Sequence, residues 1–120
     1  MTIGSLAFIH LHLFDREWAG LGLDDDDLRM LQNVIAAAPT RPPVIAGAGG
    51  LRKIRFTEEG SGRGKSGAYR IGFAHFPEYS IVVLVTVWGK NERANLSASD
   101  RAAIAQVLKE IERLLEGRTR

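Results

Sequence analysis

Residues 68–88 read AYRIGFAHFPEYSIVVLVTVW, and the reading of this stretch decides the fold. Its second half, residues 79–88, is the most apolar segment of the chain and is rich in β-branched side chains, the pattern of a central strand. Residues 68–76 read as the strand before it. Residues 51–57, LRKIRFT, read as a third, with Arg52, Ile54 and Phe56 on one face and Lys53, Arg55 and Thr57 on the other, because side chains alternate. Short links between successive strands favour an antiparallel meander, since parallel neighbours need long crossovers. Gly72 stands inside the middle strand, where a glycine marks a bulge or the close approach of another backbone.

Outward from this core, residues 6–14, LAFIHLHLF, read as a further strand that places His10 and His12 on one face. Two histidines at that spacing can chelate a metal, yet the third ligand is limited to His75 or a distant carboxylate, so ordinary strand histidines are the preferred reading. Residues 15–23 form a connector with a short helical turn at 16–19. DDDDLRMLQNVIAAAP at 24–39 reads as a helix, with Leu28, Leu31, Ile35 and Ala38 at helical spacing and Val34 widening the stripe. Its four aspartates sit where the helix dipole favours negative charge. They lack the alternation and glycine of a calcium loop. Pro39 ends that helix, and Pro42-Pro43 enforces an extended link. The chain closes on a second long helix. Ser97 is its N-cap and Asp100 its N3 partner; Ile104, Val107, Leu108, Ile111, Leu114 and Leu115 form its stripe, and Gly117 stops it. The expectation is an α+β fold, a small antiparallel β-sheet flanked by helices, in a single domain over residues 1–120.

Composition agrees with that class. The chain has 120 residues, 45% hydrophobic and 25% charged, which is globular and not disordered. It has no cysteine, which excludes disulfides, thiol catalysis and thiolate-held metals, and suits a reducing compartment. The longest apolar run, residues 81–88, is far too short to span a membrane. No basic segment precedes an apolar one at the start, so no signal peptide and a cytoplasmic location are expected. Net charge is only +2, but unevenly placed. Residues 1–40 carry 2 basic and 6 acidic side chains, residues 41–70 carry 7 and 2, and residues 71–120 carry 7 and 6. A basic middle third built around a glycine-rich loop points to a polyanionic partner. That loop, EGSGRGKS at 59–66, has only the end of a phosphate-binding Walker pattern: Glu59 stands where the first glycine belongs, and a strand follows where a helix must open.

Three stretches, in order and at matching spacing, resemble the toxins of type II toxin–antitoxin pairs, specifically the RelE/HigB group of the RelE/ParE superfamily. VIAGAGGLRKIRF at 44–56 is close to that family's V-I-x-G-x-G-G-L-R-K-x-R. GRGKSGAYRI at 62–71 is close to G-K-G-K-x-G-G-x-R-V. VTVWGKNERANLS at 85–97 is close to L-T-x-Y-x-K-N-E-x-x-x-L. With the preceding helix and the terminal helix, the resemblance covers residues 24–116. It implies a cytoplasmic, ribosome-dependent endoribonuclease (an mRNA interferase) that blocks translation by cutting mRNA in the ribosomal A site, without metal or other cofactor, through attack of a ribose 2′-OH on the adjacent phosphate. It also implies a cognate antitoxin, commonly of helix-turn-helix type, and operator DNA reached only through the antitoxin complex.

Such chemistry needs a base, an acid and positive charge around the phosphorane. The residues matching the family's motifs are Lys53, Arg55, Arg70 and Lys90, with Lys53 or Lys90 as the base, because a lysine crowded by other cations gives up its proton more readily. Arg52, Arg63, Lys65, Asn91 and Arg93 are expected to hold RNA. Trp88 either stacks on a base or plugs the core. The chain departs from the family at RIGFAHF, where Phe73 and Ala74 stand in place of a tyrosine pair, and at Trp88, where a tyrosine is common. His75 as a substitute base is disfavoured by parity, since it alternates onto the face of Ile71 and Phe73, away from Arg70. Two other readings stay open: a ParE-type inhibitor of DNA gyrase, and a catalytically weakened relic that mainly binds its antitoxin.

Overall fold

The computed structural model describes residues 2–57, 68–89 and 95–118. In chain order the elements are β1 (Thr2–Ile3), β2 (Leu6–His10), α1 (His12–Gly20), α2 (Asp25–Ala37), β3 (Arg52–Phe56), β4 (Tyr69–Phe76), β5 (Ile81–Gly89) and α3 (Ala98–Arg118). A short 3₁₀ turn, Pro77–Tyr79, joins β4 to β5. The fold is α+β, as the patterning requires, and β3, β4 and β5 form the antiparallel meander. The sheet order is β1-β2-β5-β4-β3. The sheet is not antiparallel throughout, because β2 lies parallel to β5, with Ala7 opposite Ile81 and His10 opposite Leu84. The chain between them holds α1, α2, β3 and β4, ample length for a parallel return. The most apolar strand thus has a partner on each side, which satisfies its backbone groups in the core.

Helices cover both faces. Ile54, Phe56, Ile71, Phe73, Val82, Leu84 and Val87 pack beneath Phe14, Trp18, Leu31 and Ile35 of α1 and α2. On the opposite face Ala74, Val83, Val85 and Trp88 pack with Leu51 and Leu96 beneath Leu108 of α3. That opposite face also takes the turn at residues 47–50. Gly49 has φ +69°, and a Cβ there would lie 2.8 Å from the Cα of Ala105, so only glycine lets α3 rest on this turn.

Several local expectations are corrected. Residues 6–14 are not one strand: β2 ends at His10 and α1 begins at His12. Apolar runs such as LHLF fit strand or helix equally, and burial of Phe14 and Trp18 one helical turn apart decides for helix. The two rings stack at 5.4 Å between centroids, and the Trp18 indole donates to the Asp24 carbonyl at 3.1 Å. His12 is therefore exposed on a helix and does not share a strand face with His10. The His10 ring is held instead between Asp15 (Nδ1 to Oδ1, 3.1 Å) and Gln32 (Nε2 to Nε2, 3.1 Å). In α2 the aspartates act as read: Asp24 accepts from the Asp27 N–H, Asp27 accepts from the Asp24 N–H, and the Asp24 carboxyl is held below its ordinary range chiefly by that Asp27 N–H. Val34 does not widen the buried stripe; it is exposed, as are Val107 and Leu114 of α3. Ser97 caps α3 through the Asp100 N–H at 3.0 Å, and the helix runs one residue past Gly117.

Where β2 stops, β5 would present a bare edge. Leu11 makes the last backbone bond, to the Leu84 carbonyl at 3.0 Å. Beyond it the Glu17 carboxylate of α1 stands in for a strand, accepting from the Thr86 hydroxyl at 2.6 Å and the Val87 N–H at 3.2 Å. Glu17→Ala leaves two shielded donors unsatisfied and is expected to lower unfolding free energy by about 2 kcal/mol. Glu17→Gln, which keeps an acceptor, should lose less. Urea titration measures both, and equal losses would show that the acceptor contributes nothing.

The ladder between β4 and β5 slips at Gly72. Gly72 faces Thr86 but Phe73 faces Leu84, so Val85 is the extra residue of a bulge in β5. Both readings of the glycine hold, because a Cβ there would lie 3.0 Å from Leu51 Cδ2 and 3.1 Å from Thr86 Cγ2. The bulge inverts parity along β5: Val83, Val85 and Trp88 share one face, while Val82, Leu84 and Val87 share the other. No helix among the described residues is long and apolar enough to cross a membrane.

Candidate nucleic-acid interface

Strand register builds the site. Arg55 of β3 lies opposite Arg70 of β4, and Arg70 lies opposite Trp88 of β5. These three side chains form one row across the sheet, on the α3 side. Lys53 occupies the adjacent row, opposite Gly72, whose missing side chain leaves the lysine room. Ile54 and Phe56 enter the core beneath α1 and α2, so alternation sends Lys53 and Arg55 the other way, as expected.

Two arginines directly opposite each other repel, which costs a sheet stability unless something negative lies between them. Arg70 is half-buried. Its Nη1 is out of contact with solvent and has no hydrogen-bond partner among the described residues. A buried donor on a cation, left unsatisfied, costs more than a neutral one. An anion seated against Arg55 and Arg70 would remove both penalties.

Lys53 Nζ donates to Asn95 Oδ1 at 3.3 Å. Beside this contact lies a cleft of about 270 Å³, lined by Pro43, Val44, Ile45, Lys53, Trp88, Asn95, Leu96 and Arg101. The segment carrying Pro43 to Ile45 is bound to the free edge of β3, with the Lys53 N–H donating to the Pro43 carbonyl at 3.0 Å and the Ile45 N–H to the Leu51 carbonyl at 2.7 Å. None of the lining residues is acidic. Asn95 and Arg101 escaped sequence reading. A signal existed for Arg101: it is the fourth residue of α3, near the positive end of the helix dipole, where a cation is disfavoured.

Other expected residues fall elsewhere. Arg52 is on the opposite face from Lys53, and its guanidinium is committed to the chain, donating to the Thr40 carbonyl at 3.0 Å and the Pro42 carbonyl at 2.7 Å. It fastens the proline segment to β3 and is not an open RNA contact. Trp88 has no exposed surface, so its indole is the floor of the cleft and not an exposed stacking platform. Arg63, Lys65, Lys90, Asn91 and Arg93 lie outside the described residues, as does the glycine-rich loop that carries the first two.

His75 alternates with Ile71 and Phe73, away from the cationic row. Burial first, and the Arg52 charge second, hold its pKa below the ordinary 6.5. The unfolded chain therefore takes that proton more readily. This group costs nothing above its ordinary pKa, and stability falls as pH drops through it. His75→Gln is expected to flatten the loss of unfolding free energy between about pH 7.5 and 5.5. Identical pH slopes for variant and wild type would refute the assignment.

No protein-family model matches the chain. Among solved structures it is similar to the Escherichia coli toxin RelE, a double arginine-to-alanine variant in the free state, with a TM-score of 0.51 and 15% sequence identity over 74% of this chain and 87% of that one. At that identity the likeness shows a shared RelE-like fold.

Proposed function

We infer that this protein is the toxin of a type II toxin–antitoxin module, a cytoplasmic endoribonuclease that cuts mRNA on the ribosome and thereby blocks translation. The observation that carries this reading is the half-buried Arg70, without a partner among the described residues and set directly opposite Arg55, with Lys53 one row away. Fold likeness and the three sequence stretches point the same way. The proposed reaction is attack of a ribose 2′-OH on the adjacent phosphate. Arg55 and Arg70 take the charge that builds on the phosphorane, and bidentate guanidinium geometry suits that task. Lys53, or Lys90 beyond the described residues, accepts the 2′-OH proton. Cationic side chains supply the charge neutralisation, so no cofactor is invoked. A cognate antitoxin of helix-turn-helix type holds the activity in check, and operator DNA is reached through that complex.

The departures from the family are compatible with activity. Phe73 is fully buried beneath α1 and α2, on the face opposite the cationic row, so its missing hydroxyl removes no group from that row. Ala74 lies in the core under α3.

The test is in vitro translation with purified protein, mapping mRNA 5′ ends with and without ribosomes. Codon-phased cuts that require ribosomes and are lost in Lys53→Ala and Arg55→Ala are expected. Absence of cleavage by folded wild type would overturn the reading. A supercoiling assay with purified gyrase would then separate a gyrase inhibitor from an antitoxin-binding relic.

A further inference from the structure

The cleft between the Pro43–Ile45 segment, β3 and the start of α3 is not used by the phosphate chemistry above, and its lining has a definite chemical sense. Its walls, Pro43, Val44, Ile45 and Leu96, are apolar, its floor is the buried indole of Trp88, and Val44 is half exposed at its mouth. Its polar groups are all donors. Lys53 has only N–H groups, and Arg101 has only N–H groups. Asn95 spends its carbonyl oxygen on Lys53, which leaves its Nδ2 amide to donate. A flat ligand with apolar faces and an acceptor-rich edge fits this lining. A phosphate fits poorly, since it would desolvate against four apolar side chains. Among nucleobases, guanine presents two adjacent acceptors, O6 and N7, with no donor beside them, and a guanidinium fork pairs with both.

Resting on the RNA-cleavage reading, we propose that the Lys53–Asn95–Arg101 cleft is a base-recognition subsite that takes a guanine of the bound RNA next to the phosphate held by Arg55 and Arg70. Trp88 joins the two places, as it ends the Arg55–Arg70 row and floors the cleft. Arg101 reads the O6/N7 edge, Asn95 adds a donor and positions Lys53, and the Val44 and Ile45 side chains flank the ring. Its place at the positive end of α3, against the local dipole preference, is then a cost accepted for recognition. The cleft therefore sets sequence preference, which the phosphate contacts do not carry.

The experiment is a titration of the whole protein with the trinucleotides UGU, UAU, UCU and UUU, followed by NMR or fluorescence anisotropy. Wild type should bind UGU about tenfold more tightly than UAU, the discrimination of a bidentate arginine–guanine contact. Arg101→Lys keeps the charge but loses the fork, and should bring that ratio close to one; Arg101→Gln should do the same and keeps the helix. Equal binding of all four trinucleotides, tightest binding to another base, or a ratio unchanged in both variants would overturn the guanine subsite while leaving RNA binding in place. Failure of wild type to bind any of them would overturn the RNA reading itself, and the subsite with it.

Discussion

Arg70→Gln is expected to reduce RNA cleavage by about 100-fold or more, the scale on which removal of one positioned charge-stabilising donor acts, while leaving the protein as stable as before or slightly more so. Loss of activity without loss of stability is the distinguishing outcome. An arginine kept for structure would be satisfied by the chain, as Arg52 is by the Thr40 and Pro42 carbonyls. Arg70 instead faces Arg55 across the ladder and keeps Nη1 out of solvent without a partner among the described residues. Removing one of two directly opposed like charges relieves repulsion worth about 0.2–1 kcal/mol. Glutamine keeps much of the side-chain stem that lies beside Trp88, so packing is largely preserved. A thermal shift provides an independent reading. Inorganic phosphate should raise the Tm of wild type, because a ligand bound by the folded state alone stabilises it by mass action. It should raise the variant's Tm much less. A variant that cleaves normally would remove Arg70 from the site. One that loses activity together with several kcal/mol of stability would make Arg70 structural.

The second large effect is on stability. Trp88→Ala is expected to destabilise the fold by about 4 kcal/mol, in the range for truncating a fully buried tryptophan. Trp88 has no exposed surface and packs among Leu51, Val85, Leu96 and Leu108 under α3. Domains of this size are typically stable by about 5–15 kcal/mol, so such a loss is a large share of the whole. The urea midpoint should fall sharply, and the denaturant slope should stay unchanged if the transition remains two-state. A loss under about 1 kcal/mol would instead mark an indole held for stacking on RNA, since surface side chains contribute little to stability. Trp88→Phe, which keeps an aromatic floor, should recover most of the loss.

The sequence by itself determined the strand meander from residue 51 to residue 88, both long helices and their caps, and the opposed faces of β3. Each follows from local physics. Period-two alternation separates Lys53 and Arg55 from Ile54 and Phe56. Capping chemistry at Asp24 and Ser97 depends on residues within one turn. The three stretches resembling a known family pointed to the RelE-like fold for a different reason, matching residues in order, which periodicity does not contain. Local pattern failed at LHLF, because an apolar run carries no period of its own and only packing of Phe14 and Trp18 against the sheet made it a helix. The tertiary structure alone decided the rest. Continuous alternation along β5 would place Trp88 with Val82 and Leu84 beneath α1 and α2; the bulge opposite Gly72 turns it onto the face of Arg70 and Lys53. Asn95 and Arg101 reach the site from 42 or more residues away in sequence because α3 lies across that face on the turn at Gly49. Glu17 seals β5 from 69 residues away. Such contacts are set by how the elements stack, since a side chain's distant neighbours depend on register and layer packing that no window of residues along the chain contains.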